Sequence, residues 1–227
     1  MQAGGSSSLL LGTIFKKFRE FGEVSMNLYK NDLPSNVIFK DSVAIDTETM
    51  GLMTKRDRLC LVQMCSKDGE VHMVQIEKGQ QHKAVNLKKI LIDPKIQKIF
   101  HFARFDIEIL NYTFGIRVNN IYCTKIASKL VRTYTDKHGL KNLIKEILGI
   151  EISKQEQSSD WGREELSDEQ LKYAAGDVLY IHALKEKLDY MLSRENRTEL
   201  ANKCFETLQL VSDLDLLGIC PEELFVH

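Results

Sequence analysis

Three short apolar segments between residues 42 and 76 constrain the fold of this chain more than any other feature. They cover residues 42–47 (SVAIDT), 59–65 (LCLVQMC) and 71–76 (VHMVQI). Each segment is short, apolar and bounded by polar residues, which is typical of a strand. The run Lys67-Asp68-Gly69-Glu70 supplies turn residues between the second and the third segment. We therefore predict three strands that form an antiparallel meander.

The sequence after residue 80 changes to helical patterns with one further strand. Ser167 and Gln170 form a capping box, which begins a long helix. Helices are predicted over residues 84–91, 103–114, from 124 onward, 139–148, from the capping box to about 192, and 195–210, with a strand over 98–101. Strands combined with helices in this order predict an α/β fold. The 227 residues suffice for one domain, which we place over residues 26–227 with a helical tail at its C-terminus.

The first 25 residues differ from the rest and are predicted to lie outside the domain. Residues 4–8 (GGSSS) are typical of a flexible linker, and residues 9–21 form a short basic amphipathic pattern. Such a helix is compatible with a membrane surface or a targeting role. We favour the alternative of an added leader or a mis-set start, with Met26 as the first natural residue.

The charge balance limits the kinds of partner that the chain can bind. Lysine and arginine number 31 and acids 32, which gives a formal net charge of −1. A large duplex-binding surface usually carries a basic excess. The balance therefore argues against an extended nucleic-acid platform, but it allows a small pocket that holds the end of a strand. No apolar run approaches about 18 residues, so no membrane span is predicted.

The cysteines favour a reducing compartment. There are five, at positions 60, 65, 123, 204 and 220, without a Cys-x-x-Cys pair or zinc-site spacing. We interpret them as reduced, mostly buried thiols in a cytoplasmic protein.

Two carboxylates end the first predicted strand. Asp46 and Glu48 are two residues apart, so they project from the same face of the strand. Adjacent acids raise each other's pKa unless a cation lies between them. Alone, this pair is explained equally well by solvated acids at a strand end.

Two further acids occur in predicted helices. Asp106 lies in the first turn of a helix, where the macrodipole favours an acid for structural reasons alone. Tyr173 and Asp177 are four residues apart and share one helix face. Gly176 between them is costly in a helix, by about 1 kcal/mol relative to alanine. It predicts either close helix–sheet packing or access for a ligand.

Taken together, the order D-x-E, then D, then Y-x-x-x-D resembles the DEDDy branch of the RNase D-like 3′→5′ exonucleases. The motifs are residues 46–49 (DTET), 101–106 (HFARFD) and 173–177 (YAAGD). Longer segments resemble small members of that family that degrade very short RNAs: RDRLCLVQ at 56–63, KIFHFARFD at 98–106, CTKIASKL at 123–130, RTYTDKHGL at 132–140 and ISKQEQSSDW at 152–161. The resemblance implies an RNase H-like mixed sheet flanked by helices, as in DnaQ-like exonuclease domains.

The resemblance also implies a catalytic set with two divalent cations, Mg²⁺ or Mn²⁺, which carboxylate-only sites favour. Asp46, Glu48 and Asp177 would hold one cation, and Asp46 with Asp106 through water would hold the other. Tyr173 would orient the attacking water, since a phenol with a pKa of about 10 is a poor base at neutral pH. The expected reaction releases nucleoside 5′-monophosphates from single-stranded 3′ ends.

Substrate-binding residues are expected around the motifs. Leu52 is the candidate for a wedge against the terminal bases, with core packing as the equal alternative. Phe102 suits stacking on a base and Arg104 suits a phosphate. The polar segment 154–161 (KQEQSSDW) either lines the pocket through Gln157, Ser158 and Ser159 or is a capped loop in which Trp161 fills the core. The further candidates are Thr49, His101, Gln157, Ser158 and Ser159.

Two other functions and the assembly remain open at this stage. An RNase D that trims tRNA carries additional helical domains, and only 50 residues follow Asp177 here. A catalytically silent binding module on the same fold is the second alternative. The apolar tail predicts a subunit interface formed by Leu214, Leu216, Leu217, Ile219 and Phe225. The resemblance implies a ring-shaped octamer that restricts access to short RNA ends.

Overall fold

A six-stranded sheet forms the centre of the molecule in the computed structural model, which describes residues 25–152, 159–224 and 226. The strands are β1 Met26–Lys30, β2 Ser42–Thr49, β3 Leu59–Cys65, β4 Val71–Gln75, β5 Gln97–Phe100 and β6 Ile121–Cys123. Their order in the sheet is β1-β4-β3-β2-β5-β6. The predicted leader, except for Ser25, lies outside the described residues.

The pairing of the strands makes the sheet mixed. β2 pairs antiparallel with β3, and β3 pairs antiparallel with β4, so the predicted meander is confirmed. On the other side of β2, β5 and β6 continue the sheet in parallel, and β1 adds in parallel beside β4. With helices on the sheet, this is the predicted RNase H-like architecture.

The helices cover both faces of this sheet. They are α1 Val85–Ile92, α2 Ala103–Phe114, α3 Thr124–Val131, α4 Leu140–Leu143, α5 Asp168–Leu179, α6 Ile181–Arg194, α7 Thr198–Leu217 and α8 Pro221–Leu224. α5 packs on β2, β3 and β4, whereas α2 packs against β3, β5 and β6. Side chains of a strand alternate between its faces. β2 therefore presents Asp46 towards α5 and Thr47 towards α2.

The prediction of one long helix after the capping box is wrong, because the structure divides this segment into two helices. The segment is interrupted at Tyr180, whose φ of −100° and ψ of −1° depart from helical values, so α5 ends and α6 begins there. The last helix was also predicted too short. α7 continues to Leu217 and ends at Gly218, whose φ of +75° is the left-handed conformation that favours glycine.

The cysteine thiols are free, and three of the five are buried, as predicted. Burial raises the pKa of Cys60 to about 11 and that of Cys65 to about 12. Both thiols are therefore protonated and unreactive at neutral pH. Among the helices of the described residues, none has the length and apolar character needed to cross a membrane.

Candidate active site

The end of β2 places two carboxylates beside a third from α5. Asp46 and Glu48 lie two residues apart, just before the register of β2 on β3 shifts between Glu48 and Thr49. Asp177 comes from α5. One carboxylate oxygen from each of the three acids lies within 4.8 Å of the others. The structure thus brings together the three residues that the sequence assigned to one cation.

Burial raises the pKa of all three carboxyl groups, and for Asp46 and Glu48 repulsion from the neighbouring acids raises it further. The pKa of Asp46 lies well above its ordinary value because of burial and then the charges of Asp106, Asp177 and Glu48. Burial and the neighbouring acids raise the pKa of Glu48 to about 9, and burial raises that of Asp177 to about 6. Oxygen ligands that repel one another at this spacing fit a hard divalent cation.

α5 holds Tyr173 and Asp177 on the face directed towards β2. The helix begins with the predicted capping box. The Ser167 hydroxyl accepts a hydrogen bond from the backbone N–H of Gln170, and the Gln170 side-chain oxygen accepts one from the backbone N–H of Ser167. Leu171, Ala174, Ala175 and Val178 bury its inner side. A side chain at Gly176 would meet open space. Close packing therefore does not explain this glycine.

Asp106 is buried on the α2 side and approaches the site differently from the other acids. Its Oδ1 accepts a hydrogen bond of 2.7 Å from the Thr47 hydroxyl. Burial raises its pKa to about 7, although this hydrogen bond opposes the rise. Its charge reaches Asp46 and Glu48, whose pKa values it raises. Asp106 lies outside the group of three acids with mutually close oxygens.

Tyr173 contacts both the acids and the pocket wall. Its hydroxyl is hydrogen-bonded to Asp177, which lowers the pKa of that carboxyl group. Burial and the negative charges of Asp177 and Glu48 raise the pKa of the phenol, so it stays neutral. The ring centroid lies 6.1 Å from that of Trp161 and 4.7 Å from the Lys141 Nζ atom. The hydroxyl is therefore held in place as a hydrogen-bonding group rather than a base.

A cavity of about 760 Å³ opens over the acids. Leu52 lines it with its side chain 83% exposed, which excludes the alternative of core packing. Trp161 is buried, as the core-filling alternative predicts, and it also lines the cavity together with Ser159 of the same loop. Three other predicted substrate-binding residues also line the cavity, namely Thr49, His101 and Ser159.

His101 is part of the cavity wall in its neutral form. Its Nδ1 lies 2.8 Å from the Thr124 hydroxyl. Burial, together with the charge of Lys125, lowers its pKa to about 3. His101 is therefore suited to a neutral hydrogen bond rather than to binding a phosphate by charge.

Phe102 and Arg104 do not line the cavity. Phe102 is half exposed, adopts a left-handed backbone with φ of +68°, and carries the Lys125 Nζ atom 3.9 Å from its ring centroid. Arg104 makes ion pairs with Asp215 at 2.7 Å and Glu222 at 2.7 Å, which join α2 to α7 and α8. Because two carboxylates already bind its guanidinium, we do not retain Arg104 as a phosphate-binding residue.

Two predicted residues, Gln157 and Ser158, lie outside the described residues. Conversely, the cavity contains residues that sequence reasoning did not select, namely Phe105, Lys125, Lys141 and Asn142. The lysines lie within or next to segments that carried the resemblance, but nothing in their local charge pattern marks them. Only the fold brings them to the acids.

Comparison with known proteins supports the chemistry of this site. The family described as 3′-5′ exonuclease matches residues 21–193. The chain is 35% identical to ribonuclease D of Gluconacetobacter diazotrophicus over 157 residues, which is 69% of this chain and 39% of that protein. The chain thus spans about two fifths of the length of the curated relatives it matches.

Solved structures of a smaller nuclease match over almost their whole length. NrnC of Brucella melitensis bound to pGG is 51% identical, with a TM-score of 0.85, and the match covers 90% of this chain and 100% of that one. The same protein with bound Mg²⁺ is 51% identical, with a TM-score of 0.83, and the match covers 89% and 98% of the two chains.

Proposed function

The chain belongs to the 3′-5′ exonuclease family, and from this premise we propose that it is a metal-dependent 3′→5′ exoribonuclease that acts on very short RNAs, including dinucleotides. The observation that carries the proposal is the group formed by Asp46, Glu48 and Asp177, with oxygens within 4.8 Å of one another, beside a tyrosine hydrogen-bonded to Asp177. The products would be nucleoside 5′-monophosphates and a shortened RNA.

The residues divide the chemistry among them. Asp46, Glu48 and Asp177 would hold one divalent cation, and Asp46 with Asp106 a second. When bound, Mg²⁺ or Mn²⁺ supplies Lewis acidity that lowers the pKa of water and neutralises charge on the phosphate. The neutral Tyr173 hydroxyl, fixed by Asp177, orients the attacking water. Thr47 orients Asp106 through its 2.7 Å hydrogen bond.

Three features support a short substrate. NrnC of Brucella melitensis, whose match covers 90% of the present chain, has been solved with bound pGG. The exposed Leu52 stands at the cavity, where an apolar side chain can pack against a terminal base. The cavity of about 760 Å³ is also of a size that suits a few nucleotides rather than a folded RNA.

The second candidate function is trimming of longer RNA 3′ ends, as in an RNase D. It is favoured by the identity of 35% with ribonuclease D of Gluconacetobacter diazotrophicus. The two candidates share the chemistry and differ in the length of the substrate, so a comparison of substrates separates them.

The deciding experiment measures product release from labelled RNAs of two to seven nucleotides, a twenty-mer and a tRNA precursor, each with Mn²⁺, with Mg²⁺ and with EDTA. We expect the highest kcat/KM on the shortest RNAs and no release in EDTA. A strong preference for the long RNAs would replace the first candidate with the second. If Mg²⁺ and Mn²⁺ neither stabilised the protein nor supported nucleotide release, a silent binding module would be favoured.

Exposed apolar side chains near the C-terminus bear on the assembly of the chain. Leu210, Leu217, Ile219 and Leu224 are exposed apolar side chains along the C-terminal helices, which fits an interface between copies of the chain. We propose a homo-oligomer, with an octamer as the expected number of subunits. The free thiols fit a cytoplasmic location.

A further inference from the structure

One wall of the cavity is formed by residues 139–142, and Lys141 projects from it towards the acids. Its Nζ atom lies 4.7 Å from the ring centroid of Tyr173. Its charge lowers the pKa of both Glu48 and Asp177. Among the described residues, Lys125 is the other lysine of the cavity, and it lies beside Phe102 and His101 instead.

Buried polar contacts fix the segment that carries Lys141. The guanidinium of Arg132, which is 1% exposed, donates to the Lys137 carbonyl oxygen at 2.9 Å and forms an ion pair with Glu146. The ring of His138 is bonded to the Ser128 hydroxyl at 2.9 Å. Lys141 therefore lies between two anchored points of the chain, which limits the entropy lost when it binds a ligand.

The helix around Lys141 is irregular. α4 has four residues and passes directly into a π-helical turn over Ile144–Leu148. Such turns are rare and occur frequently at functional sites, because the distortion redirects side chains.

We propose that Lys141 is a further catalytic residue, whose ammonium group contacts a non-bridging oxygen of the scissile phosphate. This inference rests on the proposed function. Hydrolysis forms a bond from a water oxygen to phosphorus and breaks the bond from phosphorus to the 3′ oxygen. One water proton ends on that 3′ oxygen, and the other stays with the new monophosphate or passes to solvent. Negative charge on the phosphoryl oxygens grows in the transition state, where a fixed ammonium group stabilises it.

The alternative is that Lys141 only balances the charge of the carboxylates. The two roles differ in what removal of the charge does to cation binding. If Lys141 only balanced charge, its removal would act on turnover through the acids, and saturating Mn²⁺ would restore kcat. If Lys141 contacts the phosphate, kcat stays low even at saturating Mn²⁺.

The test compares Lys141→Met and Lys141→Arg with Lys145→Met as the matched control, at an exposed lysine that pairs with Glu151 and does not line the cavity. The measurements are kcat and KM on a labelled dinucleotide at increasing Mn²⁺ concentrations, with Tm in EDTA as the check on folding. We expect kcat of Lys141→Met at saturating Mn²⁺ to fall by about 30–100-fold, the size of an effect from one lost transition-state contact. KM should change little, Lys141→Arg should recover most of kcat, and Lys145→Met should keep it.

Wild-type kcat in Lys141→Met would overturn the inference, and so would a loss of kcat that saturating Mn²⁺ restores. Failure of the proposed function is recognised separately. In that case, the wild-type protein itself releases no nucleotide from any RNA in the presence of Mn²⁺.

Discussion

At the scale of single residues, the site combines groups that oppose folding. Asp46, Glu48 and Asp177 lie close together with little solvent to screen them. Their raised pKa values express the free-energy cost of ionising buried carboxyl groups and, for Asp46 and Glu48, also of placing them beside other acids. Such strain persists at functional sites because a ligand relieves it. A cation that is bound only by the folded state would therefore stabilise the fold.

Replacement of Tyr173 by phenylalanine tests the role of its hydroxyl. The phenol is neutral, bonded to Asp177 and in contact with the pocket wall. We expect Tyr173→Phe to lower kcat by at least ~10²-fold with KM on a dinucleotide nearly unchanged, because orientation of the water is lost while the substrate contacts remain. Steady-state kinetics on labelled RNA provide the measurement. Full activity would remove Tyr173 from the mechanism.

His182 predicts a pH dependence of stability that is independent of the active site. It is 9% exposed, and its Nε2 lies 3.1 Å from the Ser42 hydroxyl. Burial, followed by the charges of Lys67 and Lys185, lowers its pKa to about 4. Because the folded protein binds the proton less tightly than the unfolded chain, this contribution to stability is complete above the unfolded pKa of about 6.5 and is lost as the pH falls towards 4.

Chemical denaturation at a series of pH values measures this effect. Relative to wild type, His182→Gln should lose less unfolding free energy between about pH 7 and pH 4, by about 2 kcal/mol. His82→Gln, at an exposed histidine, is the matched control and should follow the wild-type curve. Identical pH curves for all three proteins would contradict the prediction.

At the scale of secondary-structure elements, α5 connects stability to the site. Its capping box fixes its first turn, and Gln170 also donates to the Ser159 hydroxyl at 3.0 Å and to the Asp160 carbonyl oxygen at 3.1 Å. The same residues thus begin the helix that carries Tyr173 and Asp177 and hold a loop that lines the cavity.

Removal of the cap should cost stability more than activity. Ser167→Ala should lower the free energy of unfolding by about 1 kcal/mol, because the backbone N–H of Gln170 loses its acceptor. Ser167→Asp is the control that keeps an acceptor and should retain most of the stability. Denaturant titration and kcat at a temperature well below Tm check both. A large loss of kcat with unchanged stability would be the contradictory result.

The elements show which parts of the fold could be predicted from sequence. β3 and β4 were predictable because apolar runs bounded by turn residues leave few alternatives. β1 and β6 were not predicted. β1 (MNLYK) contains polar residues and joins the sheet by pairing with β4, and the three residues of β6 are too few to show an alternation of apolar and polar side chains. The break at Tyr180 has no local sequence cause such as proline or glycine. It follows from how α5 and α6 pack, which a local pattern does not contain.

The site shows the same division. The order and spacing of the acids predicted the residues that the structure brings together, since same-face spacing survives folding. Lys141 with Tyr173, Arg104 with Glu222, and Thr47 with Asp106 are contacts between residues that lie 32 to 118 positions apart in the chain. Long-range proximity of this kind is a product of the whole fold.

At the scale of the whole molecule, the apolar surface along the C-terminal helices predicts an assembly. Leu217 on α7 is 72% exposed and Leu224 on α8 is 53% exposed. Light scattering should therefore report a particle of several subunits. Leu217→Lys combined with Leu224→Lys should produce smaller particles, because a charge in an apolar interface loses solvent without gaining a partner. Tyr190→Lys, at a residue on α6 that is 69% exposed, is the matched control.

The assembly should also govern which RNAs reach the site. If neighbouring subunits restrict access, the dissociated variant should keep its kcat/KM on a dinucleotide and gain rate on a twenty-mer. The ratio of the two rates, measured at a protein concentration where scattering reports dissociation, is the informative quantity. An unchanged ratio would place the selection of short RNA within the cavity of one chain, at Leu52 and its neighbours, because these residues stay together when the subunits separate. A wild-type protein that is monomeric throughout would lead to the same conclusion.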